Sequence, residues 1–266
     1  MIGRGIGFGF STARDFIARG LVRMRVTPNM LTLLGMILTV GAGVCYAVGA
    51  DKHFGWSLSP SAKSSAYLLL AGALLILSSA CDMLDGAVAR IGNCGTKFGA
   101  FLDSSVDRYS DFAVYVGIAV RYAWDAPSNI TMILLSLMAF MNAFMISYTR
   151  ARAEDIVGAC ETGYWQRGER SAAVLIATFS YNIPALLVQQ AFLPALTVLR
   201  RVVHTKAVIE GKNPVTDPRQ GNLWLKLKLW RWPRMTIPYD IVTGLNIAWL
   251  IFAPVPSTDV IRNWLS

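Results

Sequence analysis

Ser64-Ser-Ala-Tyr-Leu-Leu-Leu-Ala-Gly-Ala-Leu-Leu-Ile-Leu-Ser-Ser-Ala-Cys81 is an eighteen-residue run without a charge, and Asp82-Met-Leu-Asp85-Gly86-Ala-Val-Ala89-Arg90 follows it directly. About 20 apolar residues cross the ~30 Å hydrocarbon layer of a bilayer, so the first segment reads as a membrane span and the second as polar residues set at its end. Working outward, residues 31–50 supply twenty uncharged positions and residues 126–149 twenty-four. Residues 101–120 are also of spanning length, but their first half carries Asp103, Asp107, Arg108 and Asp111 and must face protein or water. Residues 171–199 are uncharged for twenty-nine positions and interrupted by Tyr181-Asn182-Ile183-Pro184, which predicts a hairpin of two helices and brings the spans to six.

Of the 266 residues 54% are apolar and 15% charged, which excludes a disordered chain and an ordinary soluble domain. Twenty-five Lys and Arg against sixteen Asp and Glu give +9. In a membrane protein that excess reads as cytoplasmic loops and attraction to anionic membrane lipids, and no nucleic-acid partner is expected. Eleven basic residues flank the spans before helix 1, between helices 2 and 3 and between helices 4 and 5, against Lys52, Lys63 and Arg121 on the other side. The N-terminus and the end of helix 6 therefore read as cytoplasmic. The first 25 residues carry five arginines and no apolar stretch with a cleavage site, unlike a secretory leader. Phe10, Ala13, Phe16, Ile17, Leu21 and Met24 recur there at helical spacing, as in an amphipathic helix lying in the membrane interface.

Cys45, Cys81, Cys94 and Cys160 show neither metal-ligand nor disulfide spacing and read as reduced, structural thiols. The chain divides into a juxtamembrane helix (1–26), a six-helix domain (27–208) and an extension (209–266). In the extension Trp224, Trp230 and Trp232 stand among Lys226, Lys228 and Arg231 like an interfacial belt. Residues 241–258 are again uncharged and read as a seventh span, a re-entrant segment or a surface helix, with Gly244, Asn246, Pro254 and Pro256 weakening the first.

The chemistry concentrates at the end of the second span. Asp82 and Asp85 are three apart, Asp103 and Asp107 four apart, so each pair lies on one face of its helix. The intervening Gly92, Gly95 and Gly99 suggest a flexible loop that folds the two faces together. Four carboxylates brought so close repel one another unless cations lie between them, and an all-oxygen ligand set favours one or two Mg²⁺ or Mn²⁺ ions. Acids that merely solvate helix ends, paired with Arg90 and Arg108, would not be expected to repeat at matched spacing on consecutive helices with Gly86 beside Asp85.

The pattern Asp82-x2-Asp85-Gly86-x2-Ala89-Arg90-x8-Gly99-x3-Asp103-x3-Asp107 resembles in full the signature of the CDP-alcohol phosphotransferase family, integral enzymes of phospholipid synthesis. The resemblance implies an all-α integral membrane protein with six transmembrane helices around a polar cavity facing the cytoplasm, in agreement with the plan drawn from hydropathy and charge. It implies a multi-pass protein of the plasma membrane if the source is prokaryotic, and a homodimer. It further implies that Asp82, Asp85 and Asp103 hold two metal ions, with Asp107 sharing the second and acting as general base. Gly86 and Gly99 would admit the nucleotide, with Ala89 between Gly86 and Arg90, and Arg90 would pair with donor phosphate. The segment Thr27-Pro28-Asn29-Met30-Leu31-Thr32, in its own right an ordinary helix start, resembles the family turn that lines the cytidine site through Asn29 and Thr32.

A second cluster, Ser147-Tyr148-Thr149-Arg150-Ala151-Arg152-Ala153-Glu154 followed by Gln166-Arg167-Gly168-Glu169-Arg170, is on charge alone a set of basic helix flanks. It is similar to the phosphatidylinositol-phosphate synthase branch and its archaeal ether-lipid relatives, which implies a CDP-diacylglycerol-type donor, inositol phosphate as acceptor, and an acceptor-phosphate site of Ser147, Arg150, Arg167 and Arg201. Arg150 stands where several relatives carry Lys, and Gly168 where the second motif usually has Pro. Other acceptors in the same chemistry are glycerol 3-phosphate, serine, choline and free inositol. A divalent-cation transporter would place such acids at the midplane, and an Asp-rich prenyltransferase is disfavoured by Gly86, Arg90 and the Gly99 spacing.

Overall fold

The computed structural model describes residues 2–49, 66–160, 162–212, 223–230, 232 and 234–265, and these form helices and connecting turns with no strand among them. The helices are α1 (Ile2–Arg23), α2 (Pro28–Gly49), α3 (Ala66–Ile91), α4 (Lys97–Ala123), α5 (Ile130–Val157), α6 (Arg167–Phe179), α7 (Ile183–Ile209), α8 (Leu223–Leu229), α9 (Ile237–Phe252) and α10 (Val260–Leu265). Four of them, α2, α3, α5 and α7, are long and apolar enough to cross a bilayer. The chain is thus a multi-pass membrane protein by length and composition. Lys52, Lys63 and Arg231 lie outside the described residues.

α2 packs along α3 and α4, α5 along α4 and α7, and α6 closes against α3. Glycine sets the α2–α4 approach: a Cβ at Gly43 would strike the Ala113 carbonyl and one at Gly117 the backbone of Gly43. Small residues that let helix backbones touch are the usual means of association where lipid removes the hydrophobic drive. α2 starts at Pro28, whose missing N–H costs nothing in a first turn, and the Thr27 hydroxyl accepts from the Met30 amide at 3.4 Å. α1 docks on this layer through Ala18, with Leu21 and Val22 packed alongside, while Phe16, Ile17 and Met24 stay exposed. The amphipathic helix thus has two apolar faces, one of them for protein.

The α3–α4 connection is a capped turn and not the flexible glycine loop expected. Asn93 takes the left-handed conformation (φ 51°), Cys94 N–H donates to Ala89 O at 3.1 Å and Asn93 N–H to Arg90 O at 3.4 Å. That is the paired closure of a Schellman motif, and Gly92, Gly95 and Gly99 all lie outside the left-handed region. Thr96 then caps α4 by accepting from Gly99 N–H at 2.9 Å. The hairpin break also falls where expected, with Tyr181 (φ 55°) in the same role, but its arms are unequal: α6 has 13 residues and α7 has 27.

Pro194 sits inside α7 and cannot donate to the carbonyl of Gln190. Asn142 of α5 supplies the missing donor, its Nδ2 bonding Gln190 O at 3.2 Å and Ala191 O at 2.6 Å. The described residues of the extension pack against the bundle. α9 runs alongside α6 in the same direction: Tyr239 near its start donates to Glu169 at the start of α6, and Asn182 just past α6 donates to the Leu250 and Ala253 carbonyls at its end. The chain continues to α5, where Asp259 accepts from the Ile130 and Thr131 amides at 2.9 and 3.2 Å. Trp230 packs edge-on to Tyr164 with Arg200 over its ring, whereas Trp224 is exposed. All four cysteines are unpaired.

Asn142→Leu should destabilise the protein by about 1–3 kcal/mol, the cost of a buried carbonyl left without a donor, read as a lower thermal midpoint in detergent. In a Pro194→Ala background, where the helix can satisfy Gln190 O itself, the cost should shrink. An equal cost in both backgrounds would count against this pairing.

Candidate active site

Asp82 and Asp85 project from the end of α3 and Asp103 from the first turns of α4, and one carboxylate oxygen of each lies within 4.8 Å of the others. The capped Asn93 turn brings them together by fixing the angle between the two helices. Thr32 of α2 donates to Asp85 Oδ2 at 2.9 Å, and its hydroxyl also reaches Pro28 O at 3.2 Å. This contact makes Thr32 a positioning residue for a carboxylate. Asn29 stands beside Gly99, since a Cβ at 99 would lie 3.1 Å from its Oδ1, and a Cβ at Gly86 would meet nothing within 4 Å. The site is therefore tight at Gly99 and open at Gly86. Ala89 and Arg90 lie about a turn further along α3, outside the small cavity that the aspartates line, with Arg90 exposed.

Asp107 shares that cavity but is not drawn into the trio. Its Oδ1 is 2.5 Å from Arg167 Nη2, and Arg167 Nη1 is 2.7 Å from Asp82 Oδ1, so one guanidinium from the start of α6 joins both ends of the carboxylate row. The planar fork of arginine suits this double engagement as a lysine would not. Beyond Arg167 the site opens into a cavity of about 530 Å³ between α3, α4 and α6, lined by Ser78, Asp82, Asp111, Arg167, Arg170 and Arg234 among others.

Ser147, Arg150 and Arg201 do not line either cavity. The Ser147 hydroxyl donates to Ala143 O, and Arg150 pairs with Glu154 one turn away at 2.8 Å. Arg201 is buried, donating to the carbonyls of Thr162 and Ile146 and to Gln166 Oε1. It ties α7 to α5 and to the segment leading into α6.

Two arginines absent from the expected site stand in the large cavity. Arg170 is 3% exposed and bonds Asp111 at 3.1 Å, while its Nε and Nη1 face no protein acceptor. Its place in the Arg167-x2-Arg170 spacing was the only sequence signal for it. Arg234 comes from the extension and bonds Glu169 Oε1 through Nε at 2.9 Å. Partial burial alone would lower the Arg234 pKa, but the adjacent Glu169 carboxylate raises it. Nothing in the local sequence announces its position.

Three carboxylates with oxygen donors only, converging beside an open Gly86, fit a hard divalent cation. The chain matches the CDP-alcohol phosphatidyltransferase family over residues 25–209 and belongs to that family. Among its relatives are the archaetidylinositol phosphate synthase of Pyrococcus horikoshii, 30% identical over 73% of this chain and 91% of its own length, and the phosphatidylinositol phosphate synthase of Corynebacterium glutamicum, 32% identical over 75% and 84%. The fold is similar to that of the Mycobacterium tuberculosis phosphatidylinositol phosphate synthase. Its complex with manganese and citrate aligns with TM-score 0.59 at 30% identity over 72% of this chain and 88% of that one. Its complex with CDP-DAG aligns with TM-score 0.59 at 28% identity over 72% and 92%. The protein is a phosphatidyltransferase by family, with three clustered aspartates at the α3–α4 junction that could hold a divalent cation.

Mg²⁺ or Mn²⁺ should therefore raise the thermal midpoint of the purified protein, and chelation should reverse it. A cation at one hundred times its Kd stabilises by about 2.7 kcal/mol. Asp85→Asn should remove the shift and Thr32→Val weaken it; an undiminished shift in Asp85→Asn would place the cation elsewhere.

Proposed function

We propose that the chain transfers the phosphatidyl group of a CDP-diacylglycerol-type lipid, ester- or ether-linked, to inositol phosphate and releases CMP. The observation that carries this reading is the continuity between the aspartate cluster and an arginine-lined cavity: a cation-binding face meets an anion-binding face across Arg167. The names of the relatives support the choice of inositol phosphate. Glycerol 3-phosphate, a smaller phosphomonoester, is the alternative.

Asp82, Asp85 and Asp103 would hold the cation, with Asp107 as a further ligand, two Mg²⁺ being the expected complement. When bound, such ions neutralise the donor pyrophosphate and the charge that gathers on the departing phosphate. Gly86 leaves room for the nucleotide, with Asn29 and Gly99 forming the tight wall opposite, and Arg90 meets donor phosphate at the exposed end of α3. Asp107 takes the proton from the acceptor hydroxyl as its oxygen bonds to the lipid-side phosphorus and the bond to CMP breaks. Its pairing with Arg167 holds the carboxylate in place for that role. Arg167 and Arg170 bind the acceptor's phosphate, and Arg201 shapes the α5–α6 connection around it through Thr162 and Gln166.

In this reading α2 to α7 form six spans and the aspartates open to the cytoplasm, as the eleven-to-three bias of flanking basic residues requires. The 16-residue α9, parallel to α6, would be a short seventh crossing buried partly in protein. The assembly would be a homodimer, residing in the plasma membrane in a prokaryote.

Purified protein offered CDP-diacylglycerol with a panel of alcohols and phosphoalcohols should release CMP only with Mg²⁺ or Mn²⁺, and fastest with inositol phosphate. Asp107→Asn should lower turnover at least 100-fold, within the usual span for a lost general base. Arg167→Ala should raise the acceptor KM far more than Arg150→Ala, because only Arg167 lines the cavity. Full turnover in Asp107→Asn would sink the assignment of the base.

A further inference from the structure

Arg234 belongs to the extension, beyond residue 209 where the family match ends, yet its side chain lines the same 530 Å³ cavity as Arg167 and Arg170. Two neighbours hold it there. Glu169, whose side chain is only 7% exposed, accepts from Arg234 Nε at 2.9 Å and lies 2.8 Å from its Nη2, and the Tyr239 hydroxyl donates to the same Glu169 oxygen at 2.6 Å. Tyr239 is anchored in α9, which packs along α6, so the ordering of the extension fixes the guanidinium at the cavity. The room for it comes from Gly168: a Cβ at that position would lie 3.2 Å from Arg234 Nη2, tighter than side chains normally tolerate. With 64% of its side chain exposed, Arg234 keeps most of its surface available to a ligand.

The cavity has a polarity. Arg167 lines both the small aspartate cavity and the large one, whereas Arg170 and Arg234 line the large one and not the aspartate cavity. The donor pyrophosphate belongs at the aspartates, where cation charge gathers. An acceptor whose hydroxyl reaches the same phosphorus must extend its other end away from them. A phosphomonoester there carries about −1.5 to −2 charges and three acceptor oxygens, and arginine forks are suited to it.

We infer that Arg234, delivered by the C-terminal extension, is a specificity-determining residue that binds the phosphomonoester of the acceptor alongside Arg167 and Arg170. The inference rests on the phosphoalcohol reading of the function. It makes the extension part of the substrate site.

The test uses the full-length protein in nanodiscs with CDP-diacylglycerol, Mg²⁺ and either inositol phosphate or glycerol 3-phosphate, whichever the wild type turns over, with CMP release as readout. Arg234→Ala should raise the acceptor KM about tenfold or more with donor KM and kcat within about twofold, and Arg234→Lys should recover part of the loss. Any residual turnover of free inositol should be unchanged by Arg234→Ala, because that acceptor has no phosphate to hold. If Arg234→Ala is too unstable to assay, Arg234→Gln replaces it with the same expectation. An unchanged acceptor KM, or equal rises in acceptor and donor KM, would overturn the role of Arg234 while leaving the proposed reaction intact. A wild type that accepts only uncharged alcohols would overturn both.

Discussion

One guanidinium holds the working end of this molecule together. Arg167, at the first position of α6, bonds Asp82 of α3 and Asp107 of α4 at the same time. Without it, four acidic side chains would face one another across a narrow cavity, and mutual repulsion would drive α3 and α4 apart. With it, two of the four carboxylates are compensated by protein, Asp85 is engaged by the Thr32 hydroxyl, and the rest of the negative charge remains for cations. The positions of α2, α4 and α6 all follow from that balance, since each contributes one element of the compensation. The packing of α2 along α3, where a Cβ at Gly35 would lie 3.5 Å from the Cβ of Cys81, is what brings Thr32 within reach of Asp85.

The local parts of this arrangement were legible in the sequence because they depend on spacing. Three- and four-residue separations fix which carboxylates share a helix face, and an uncharged run broken by Tyr181-Asn182-Ile183-Pro184 has few alternatives to a hairpin. The parts that depend on partners far away in the chain were not legible. Asn142 reads as a stray amide in an apolar span until Pro194, some fifty residues later, is seen to leave a carbonyl without its donor. Arg201 reads by resemblance as part of the acceptor-phosphate site, yet it is buried as a tie between α7 and the α5–α6 connection. Asn93 takes the left-handed position, amid three glycines that read only as a flexible loop. Arg234 lies in a segment whose local pattern suggests only a membrane-surface belt, and its place beside Gly168 depends on α9 packing along α6.

The two kinds of polar residue in the bundle obey different rules. Asn142 and Asn182 sit within helix contacts and donate through their amide nitrogens to carbonyls at a proline break and at a helix end, groups that would otherwise be unpaired in an apolar medium. The cavity residues are under-satisfied instead: the Nε and Nη1 of Arg170 have no protein acceptor although the side chain is buried. Buried donors left open in this way are costly, and at Arg170 they face a cavity with room for an anion.

The position of Asp259 has a consequence for how the protein is made. Asp259 caps α5 by accepting from Ile130 and Thr131, residues that precede it by 129 and 128 positions. During synthesis α5 enters the membrane long before that cap exists, with its first amides served only by Asn129 and water. The start of α5 is therefore completed only when Asp259 has been made and arrives at the end of the bundle remote from the aspartates. Loss of Asp259 would thus be felt first at a helix start made more than a hundred residues earlier.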